Sequence, residues 1–218
     1  MTLNELRDAC HNTAVSKGWW PADRDFGEMM MLVVTEIAEA MEESRRPGFD
    51  PKLVWMDNSF AAHPFDPRIL PYLPGNGRKP EGFGIELADA FIRVVDTAGR
   101  QKVDLHNIRC RVCQEPHFCE TMDHLMLNAI WHSQSGEAST PSTIGASLLQ
   151  ITSRVCLSYE MELAAKLVAV EPLSTRLAQI LLSIATVAAR YGVDLNDAIH
   201  IKMQYNSGRP FRHGNKLA

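Results

Sequence analysis

The sequence predicts an all-α protein that folds as a helical bundle. Apolar residues recur at intervals of three and four along most of the chain, which is the spacing of an amphipathic helix. Stretches in which apolar and polar residues alternate, the pattern of half-buried strands, are almost absent. Hydrophobic residues make up 45% and charged residues 22% of the 218 residues, as is ordinary for a globular protein.

Capping and breaking residues give the limits of the predicted helices. Thr2 is a plausible N-cap of the first helix, because Glu5 completes a capping-box pattern three residues later, and Gly18 ends that helix. A shorter helix is expected to open at Val103-Asp104-Leu105. The other helices are predicted at residues 2–17, 24–45, 82–100, 116–134, 142–168, 173–191 and 194–205.

Segment 46–80 interrupts this helical pattern. It contains seven prolines and three glycines, which break regular elements. We expect a long loop with one short helical turn near Lys52–Asn58. Long loops in compact domains are often functional, so a lid over a binding site is the hypothesis for this segment.

Two of the predicted helices carry carboxylates in register on one face. Glu36 and Glu39 are three residues apart in the second helix, and Glu86 and Asp89 are three apart in the central helix, beside an apolar stripe. Acids are rarely buried without a partner or a metal. If the two helices face each other, the four carboxylates converge on a space that a hard cation would make tolerable. The alternative is a solvated helix face.

An internal comparison predicts a tandem duplication. Residues 101–107 align with residues 191–197 at an offset of 90. At the same offset Glu86 becomes Arg176 and Asp89 becomes Gln179, so the second copy has lost its acid pair.

The predicted helix at 142–168 would match the one at 24–45, again without an acid pair. We therefore expect a first repeat at 1–113, with the acidic metal site and the loop insertion, and a degenerate second repeat at 114–218. Together they would form a pseudo-dimer. Helical periodicity alone also produces matches of this kind, which leaves chance alignment as the alternative.

The C-terminal tail is basic, in contrast to the acidic first half. Lys202, Asn206 and Arg209 lie at helical spacing before Pro210, and basic and amide groups suit phosphate oxygens. The alternative is a disordered basic terminus. The net charge of −4 weakens a third hypothesis, nucleic-acid binding through this tail.

These motifs resemble a known family. The pairs Glu36-x-x-Glu39 and Glu86-x-x-Asp89, with the flanking segments 79–89 and 202–216, resemble the MazG-like all-α nucleoside triphosphate pyrophosphohydrolases. That superfamily includes dimeric dUTPases and phosphoribosyl-ATP pyrophosphatases. The resemblance covers residues 1–45 and 79–108 and the tail, and little of 109–172. Two departures are the long interval between the acid pairs and a tail that follows the second copy rather than the acid helix.

The resemblance implies hydrolysis of a (deoxy)nucleoside triphosphate to the monophosphate and pyrophosphate with Mg2+, for which Mn2+ could substitute. Glu36, Glu39, Glu86 and Asp89 would be the metal ligands, and Glu39 or Glu36 would also orient or deprotonate the water. The substrate-binding candidates are Lys202, Asn206, Arg209, Lys216 and Trp19, with His213 as a weaker one. The runner-up is a non-catalytic nucleotide-binding or scaffold protein of the same fold.

Several residues near these motifs keep two interpretations. Trp19 and Trp20 could stack on a base or serve the core or an interface. Asp96 could extend the metal site, but an ion pair with Arg93 or Arg100 is favoured. Free thiols are favoured over a zinc site formed by cysteines and histidines between residues 110 and 124; that group comprises Cys110, Cys113, His117, Cys119 and His124.

Composition also suggests where the protein works. Five cysteines, an odd number, suit a reducing compartment. The sequence shows no apolar run of membrane-spanning length and no signal-peptide pattern at its N-terminus, so a cytoplasmic protein without a membrane partner is expected. A homodimer of pseudo-dimers is expected from the resemblance. The base, the sugar, the phosphorus attacked and the number of metal ions are left open.

Overall fold

The computed structural model describes residues 1–56, 78–105, 119–135, 141 and 143–212. Within them the chain forms seven α-helices and one two-stranded antiparallel ribbon, which confirms the all-α prediction. The helices are α1 Leu3–Ser16, α2 Phe26–Ser44, α3 Phe83–Arg100, α4 Met122–Gln134, α5 Ile144–Ala164, α6 Leu173–Arg190 and α7 Leu195–Gly208. The strands are β1 Trp55–Met56 and β2 Pro80–Glu81.

The ends of the long loop pair with each other. Trp55 pairs with Glu81 and Met56 with Pro80, so the helical turn predicted near Lys52–Asn58 is wrong where the structure describes that segment. Hydrogen bonding between the two ends closes the loop at its base. Residues 57–77, and most of the short helix predicted after Val103, lie outside the described residues.

Helix α3 is the axis of the bundle. It packs against α1, α2, α6 and α7, and its apolar residues, including Leu87, Phe91 and Val94, are fully buried. Each large apolar side chain buried in this way contributes roughly 1.5–3 kcal/mol to folding. Its N-terminal turn also buries Glu86. The apolar packing must offset the free energy that this burial costs.

Several contacts between α1–α3 and α4–α6 are reciprocal, as an approximate two-fold relation between the two groups of helices would require. The N–H of Leu3 donates to the carbonyl of Glu120 at 2.8 Å, and the N–H of Met122 donates to the carbonyl of Met1. Leu3 and Met122 are the first residues of α1 and α4, and Met1 and Glu120 each lie two residues before them. Interchanging α1 and α4 therefore converts one hydrogen bond into the other. Helices α3 and α6 have the same length and begin 90 residues apart.

Helices α2 and α5 also make reciprocal contacts. Gly27 lies against the ring of Tyr159, and Gly145 lies against the side chain of Met41. Gly145 lies 118 residues after Gly27, and Tyr159 lies 118 residues after Met41, so a single offset between the two helices relates both contacts. These reciprocal contacts agree with the predicted pair of repeats, while the repeats themselves and their origin by duplication stay predictions.

Helix α7 crosses from the second half onto α3. After it, the backbone N–H of Arg212 donates to the carbonyl of Lys17 at 2.9 Å, and its Nε donates to the carbonyl of Gly18 at 3.1 Å. Phe211 packs where a side chain at Gly18 would stand. A disordered terminus is therefore wrong for residues 209–212. Residues 213–218, with His213 and Lys216, lie outside the described residues.

None of the described helices combines the length with the apolar composition that crossing a bilayer requires.

Candidate metal and phosphate site

Three of the four predicted metal ligands meet between α2 and α3. One carboxylate oxygen from each of Glu36, Glu86 and Asp89 lies within 4.8 Å of the others. Glu36 is 7% exposed and Glu86 only 1%. Glu39 lies outside this group of three oxygens, and its exposed side chain lines the rim of the site. These positions follow from helical spacing, because residues three apart share a face.

Burial makes the carboxylate cluster costly. Burial and the charge of Asp89 raise the pKa of Glu86 to about 9. The Oε2 atom of Glu86 is buried and has no hydrogen-bond partner. Burial and Asp89 also raise the pKa of Glu36, although Arg93 acts in the opposite direction. An unpartnered buried carboxylate oxygen is unusual, and either a proton or a bound cation would satisfy it.

Two basic side chains compensate part of this charge. The Nζ atom of Lys202, from α7, lies 2.5 Å from Oδ2 of Asp89, and the Lys202 side chain is almost fully buried. Arg93 donates to Oε1 of Glu36 at 3.0 Å. When all three are ionised, the carboxylates of Glu36, Glu86 and Asp89 exceed these two cations by one negative charge. A bound cation would neutralise that excess.

The donor set fits Mg2+. This ion takes oxygen ligands at about 2.0–2.1 Å in octahedral geometry, so opposite ligands lie about 4.2 Å apart. The three oxygens lie within 4.8 Å of one another. Only one pair of the three can be opposite and neighbouring ligands lie about 2.9 Å apart, so the side chains would draw closer together around one ion. Three carboxylates would leave the remaining positions to water or phosphate oxygens.

A cavity of about 330 Å³ opens beside the carboxylates, between α1, α2, α3 and α7. It brings together the predicted substrate-binding residues Trp19, Lys202, Asn206 and Arg209 with Glu36, Glu39 and Asp89. Lys202, Asn206 and Arg209 therefore line the same cavity as acids of the first half, while their role in substrate binding stays a prediction. The role of Trp19 stays a prediction.

The cavity also contains basic residues that the site prediction missed. These are Lys17, Lys79 and Arg93. Lys17 donates to the carbonyl of Arg209 at 2.7 Å, which joins the end of α1 to the tail. Their lysine and arginine identity was visible in the sequence, but only the fold shows that they face the same cavity.

Lys79 reaches the cavity from the β-ribbon. Its Nζ atom lies 2.7 Å from Oε1 of Glu81. Burial alone would lower the pKa of Lys79, but the hydrogen bond to Glu81 and the charges of Glu81, Glu86 and Glu39 raise it above its usual range. Lys79 is therefore a permanent positive charge at the edge of the carboxylate cluster.

Searches against protein-family models, curated proteins and solved structures found no match for this chain. The case for its function therefore rests on its own residues and on the geometry of this site.

Glu43 continues the acidic face of α2 but is occupied by other contacts. Its carboxylate accepts a hydrogen bond from Nε1 of Trp55 at 3.1 Å and pairs with Arg46 at 2.7 Å. Glu43 thus holds β1 against α2. It belongs to the support of the loop rather than to the cluster of three oxygens.

The prediction for Asp96 is wrong. Asp96 binds Nδ1 of His11 at 2.7 Å and accepts from Nε1 of Trp20 at 3.0 Å. Arg93 pairs with Glu36 instead, and Arg100 pairs with Asp23. The helical spacing allowed the expected pairs, but α1 and the loop after it bring closer partners. Trp20 is therefore anchored on Asp96, while Trp19 lines the cavity.

The zinc alternative falls largely outside the described residues, because Cys110, Cys113 and His117 are not among them. Cys119 is buried, and its thiol lies 3.6 Å from the carbonyl oxygen of His124.

We predict that Glu86→Gln makes the free energy of unfolding less dependent on pH when divalent cations are removed. The pKa of this carboxyl rises from 4.5 to about 9 on folding, so between these values the folded chain holds a proton that the unfolded chain has lost. Wild-type stability therefore falls as the pH rises. At pH 8 the variant should be more stable than the wild type, and this difference should shrink as the pH falls towards 5.

Urea unfolding at pH 5, 7 and 9 in a chelating buffer measures this effect. Glu160→Gln, at an exposed position of α5, is the matched control and should keep the wild-type slope. An equally steep fall in the Glu86→Gln variant would contradict the assignment.

Proposed function

We propose that this protein hydrolyses a (deoxy)nucleoside triphosphate to the monophosphate and pyrophosphate with Mg2+, as its resemblance to the MazG-like pyrophosphohydrolases implies. The observation that carries the proposal is the buried cluster of Glu36, Glu86 and Asp89, of which Glu36 and Asp89 line a cavity that also contains lysines and arginines. Triphosphate hydrolysis needs charge neutralisation on the phosphates and a positioned water. The cavity contains groups suited to both tasks.

Glu36, Glu86 and Asp89 would hold the metal ion. Bound there, Mg2+ would supply neutralising charge and a polarised water. Glu39 lines the same cavity as Glu36 and lies outside the group of three oxygens, and in this proposal its carboxylate would accept a proton from the attacking water. The water oxygen forms a new bond to phosphorus while the bond to the leaving phosphate oxygen breaks.

The basic residues would hold the phosphates. Lys202 has a buried ammonium group that lines the cavity, and Arg209 and Asn206 follow it along α7. Charge-assisted hydrogen bonds from such groups are the strong ones. Trp19, at the end of α1, would then contact the nucleoside.

A second candidate is a non-catalytic nucleotide-binding or scaffold protein. One observation favours it: Lys202 and Arg93 already pair with Asp89 and Glu36 without an ion. The unpartnered Oε2 atom of Glu86 supports a cation at this site, which the enzyme proposal requires. The homodimer of pseudo-dimers and the cytoplasmic location remain predictions.

Pyrophosphate release from a panel of ribo- and deoxynucleoside triphosphates, dUTP and a few modified ones tests the enzyme proposal. We expect Mg2+-dependent release from one or a few of them, and a loss of at least ~100-fold in Glu86→Gln because a metal ligand is removed. Glu160→Gln should retain full activity. Nucleotide binding without release from any substrate would favour the non-catalytic candidate.

We also predict that Lys202→Met lowers kcat/KM by roughly 10- to 100-fold, the value of one or two charge-assisted hydrogen bonds. Divalent-ion binding should persist, because the three carboxylates are unchanged. Lys166→Met, at an exposed position after α5, is the control. Unchanged kcat/KM in a folded Lys202→Met protein would exclude Lys202 from the substrate site.

A further inference from the structure

The second half contains a counterpart of the carboxylate cluster. Helix α5 follows α2 at an offset of 118 residues, and α6 follows α3 at 90. The burial pattern agrees with both offsets. Met30, Val33 and Ile37 of α2 correspond to buried residues of α5 at those offsets, and all nine buried residues of α6 match buried residues of α3.

At these offsets, basic and amide side chains replace the three clustered acids. Arg154 takes the place of Glu36, Arg176 that of Glu86, and Gln179 that of Asp89. Arg154 and Gln179 are in direct contact, with Nη1 of Arg154 donating to Oε1 of Gln179 at 3.2 Å. The corresponding positions of the first half also lie side by side.

Arg176 is bound on every side. It is 5% exposed. Its Nη2 donates to Oε2 of Glu162 at 2.6 Å, its Nη1 to the carbonyl of Ser158 at 2.5 Å, and its Nε to the carbonyl of Glu171 at 3.0 Å. The guanidinium therefore has the fixed, multidentate contacts that satisfy a buried charge.

The remaining residues of this group in the second half leave it without net charge. Gln179 donates to the Glu171 carboxylate at 3.1 Å, and Arg154 lies next to Gln179 with its Nε atom buried and unpartnered. Two arginines face two glutamates, so the charges balance without an added ion. In the first half the three clustered acids, when ionised, outnumber Arg93 and Lys202 by one charge.

We infer that Arg154 and Arg176 take the place of a divalent cation in the second half, so that the described part of the chain has one divalent-cation centre, in its first half, and the corresponding group in the second half is held together by internal charge alone. The inference rests on the cation centre of the proposed function. It goes beyond that function because it assigns a structural, ion-independent role to the corresponding group in the second half.

Thermal unfolding with and without Mn2+ tests the inference. An ion that binds only the folded state raises Tm. In the wild type we expect such a rise, and in Glu86→Gln its loss. Arg176→Gln removes an internal cation and leaves Glu162 unpaired, so Tm should fall by several degrees in either condition while the rise caused by Mn2+ stays at its wild-type size.

Three outcomes would overturn the inference. A wild-type Tm that does not respond to Mn2+ would show that the first centre binds no ion. If Glu86→Gln keeps the rise in Tm, the ion binds elsewhere. If Arg176→Gln loses the rise in Tm, the second half belongs to the ion site. Pyrophosphate release measured on the same samples tests the proposed function separately, because the inference about the second half can fail while release persists.

A gain-of-site variant adds a direct measurement. Arg154→Glu, Arg176→Glu and Gln179→Asp are combined with Glu86→Gln, which disables the first centre. Calorimetric titration with Mn2+ should show one binding event in this protein and none in Glu86→Gln alone. A combined variant that folds and binds no Mn2+ would contradict the inference.

Discussion

The burial of three carboxylates between α2 and α3 is the constraint on which the rest of this structure depends. Charged carboxylates in a protein interior are costly unless cations or hydrogen bonds compensate them. Arg93 and Lys202 supply part of that compensation, and the unpartnered oxygen of Glu86 shows that it is incomplete. The apolar stripe of α3 offsets the remaining cost, because it is buried against four other helices.

The second half acts on this centre through α7. Several contacts between α1–α3 and α4–α6 are reciprocal, but arginines and glutamates neutralise each other at the place of the acid cluster. Such a half needs no ion to fold, and it brings Lys202 to Asp89. The hydrogen bonds of Arg212 to the end of α1 then hold the tail at the cavity. The two halves differ in charge while sharing one architecture.

Much of the fold could be predicted from periodicity and capping residues. Helix α3 begins one residue from its predicted start, and the offset of 90 residues reproduces the limits of α6. Spacing also placed Glu36, Glu86 and Asp89 on facing stripes. Local sequence patterns could not predict the contacts between distant parts of the chain. These are the contacts of His11 and Trp20 with Asp96, the pairing of β1 with β2 at the base of the loop, and the position of Lys79 at the cavity. The role of Arg154 needed the spatial match of α2 with α5.

Proton release on metal binding tests the central claim most directly. At pH 7 the raised pKa of Glu86 keeps this carboxyl protonated in the ion-free protein, and a carboxylate ligand must lose its proton when a cation binds. Titration calorimetry with Mg2+ in buffers of different ionisation enthalpy should therefore show about one proton released per ion bound. Binding without proton release, or no binding, would contradict the account of a cation centre built on Glu86.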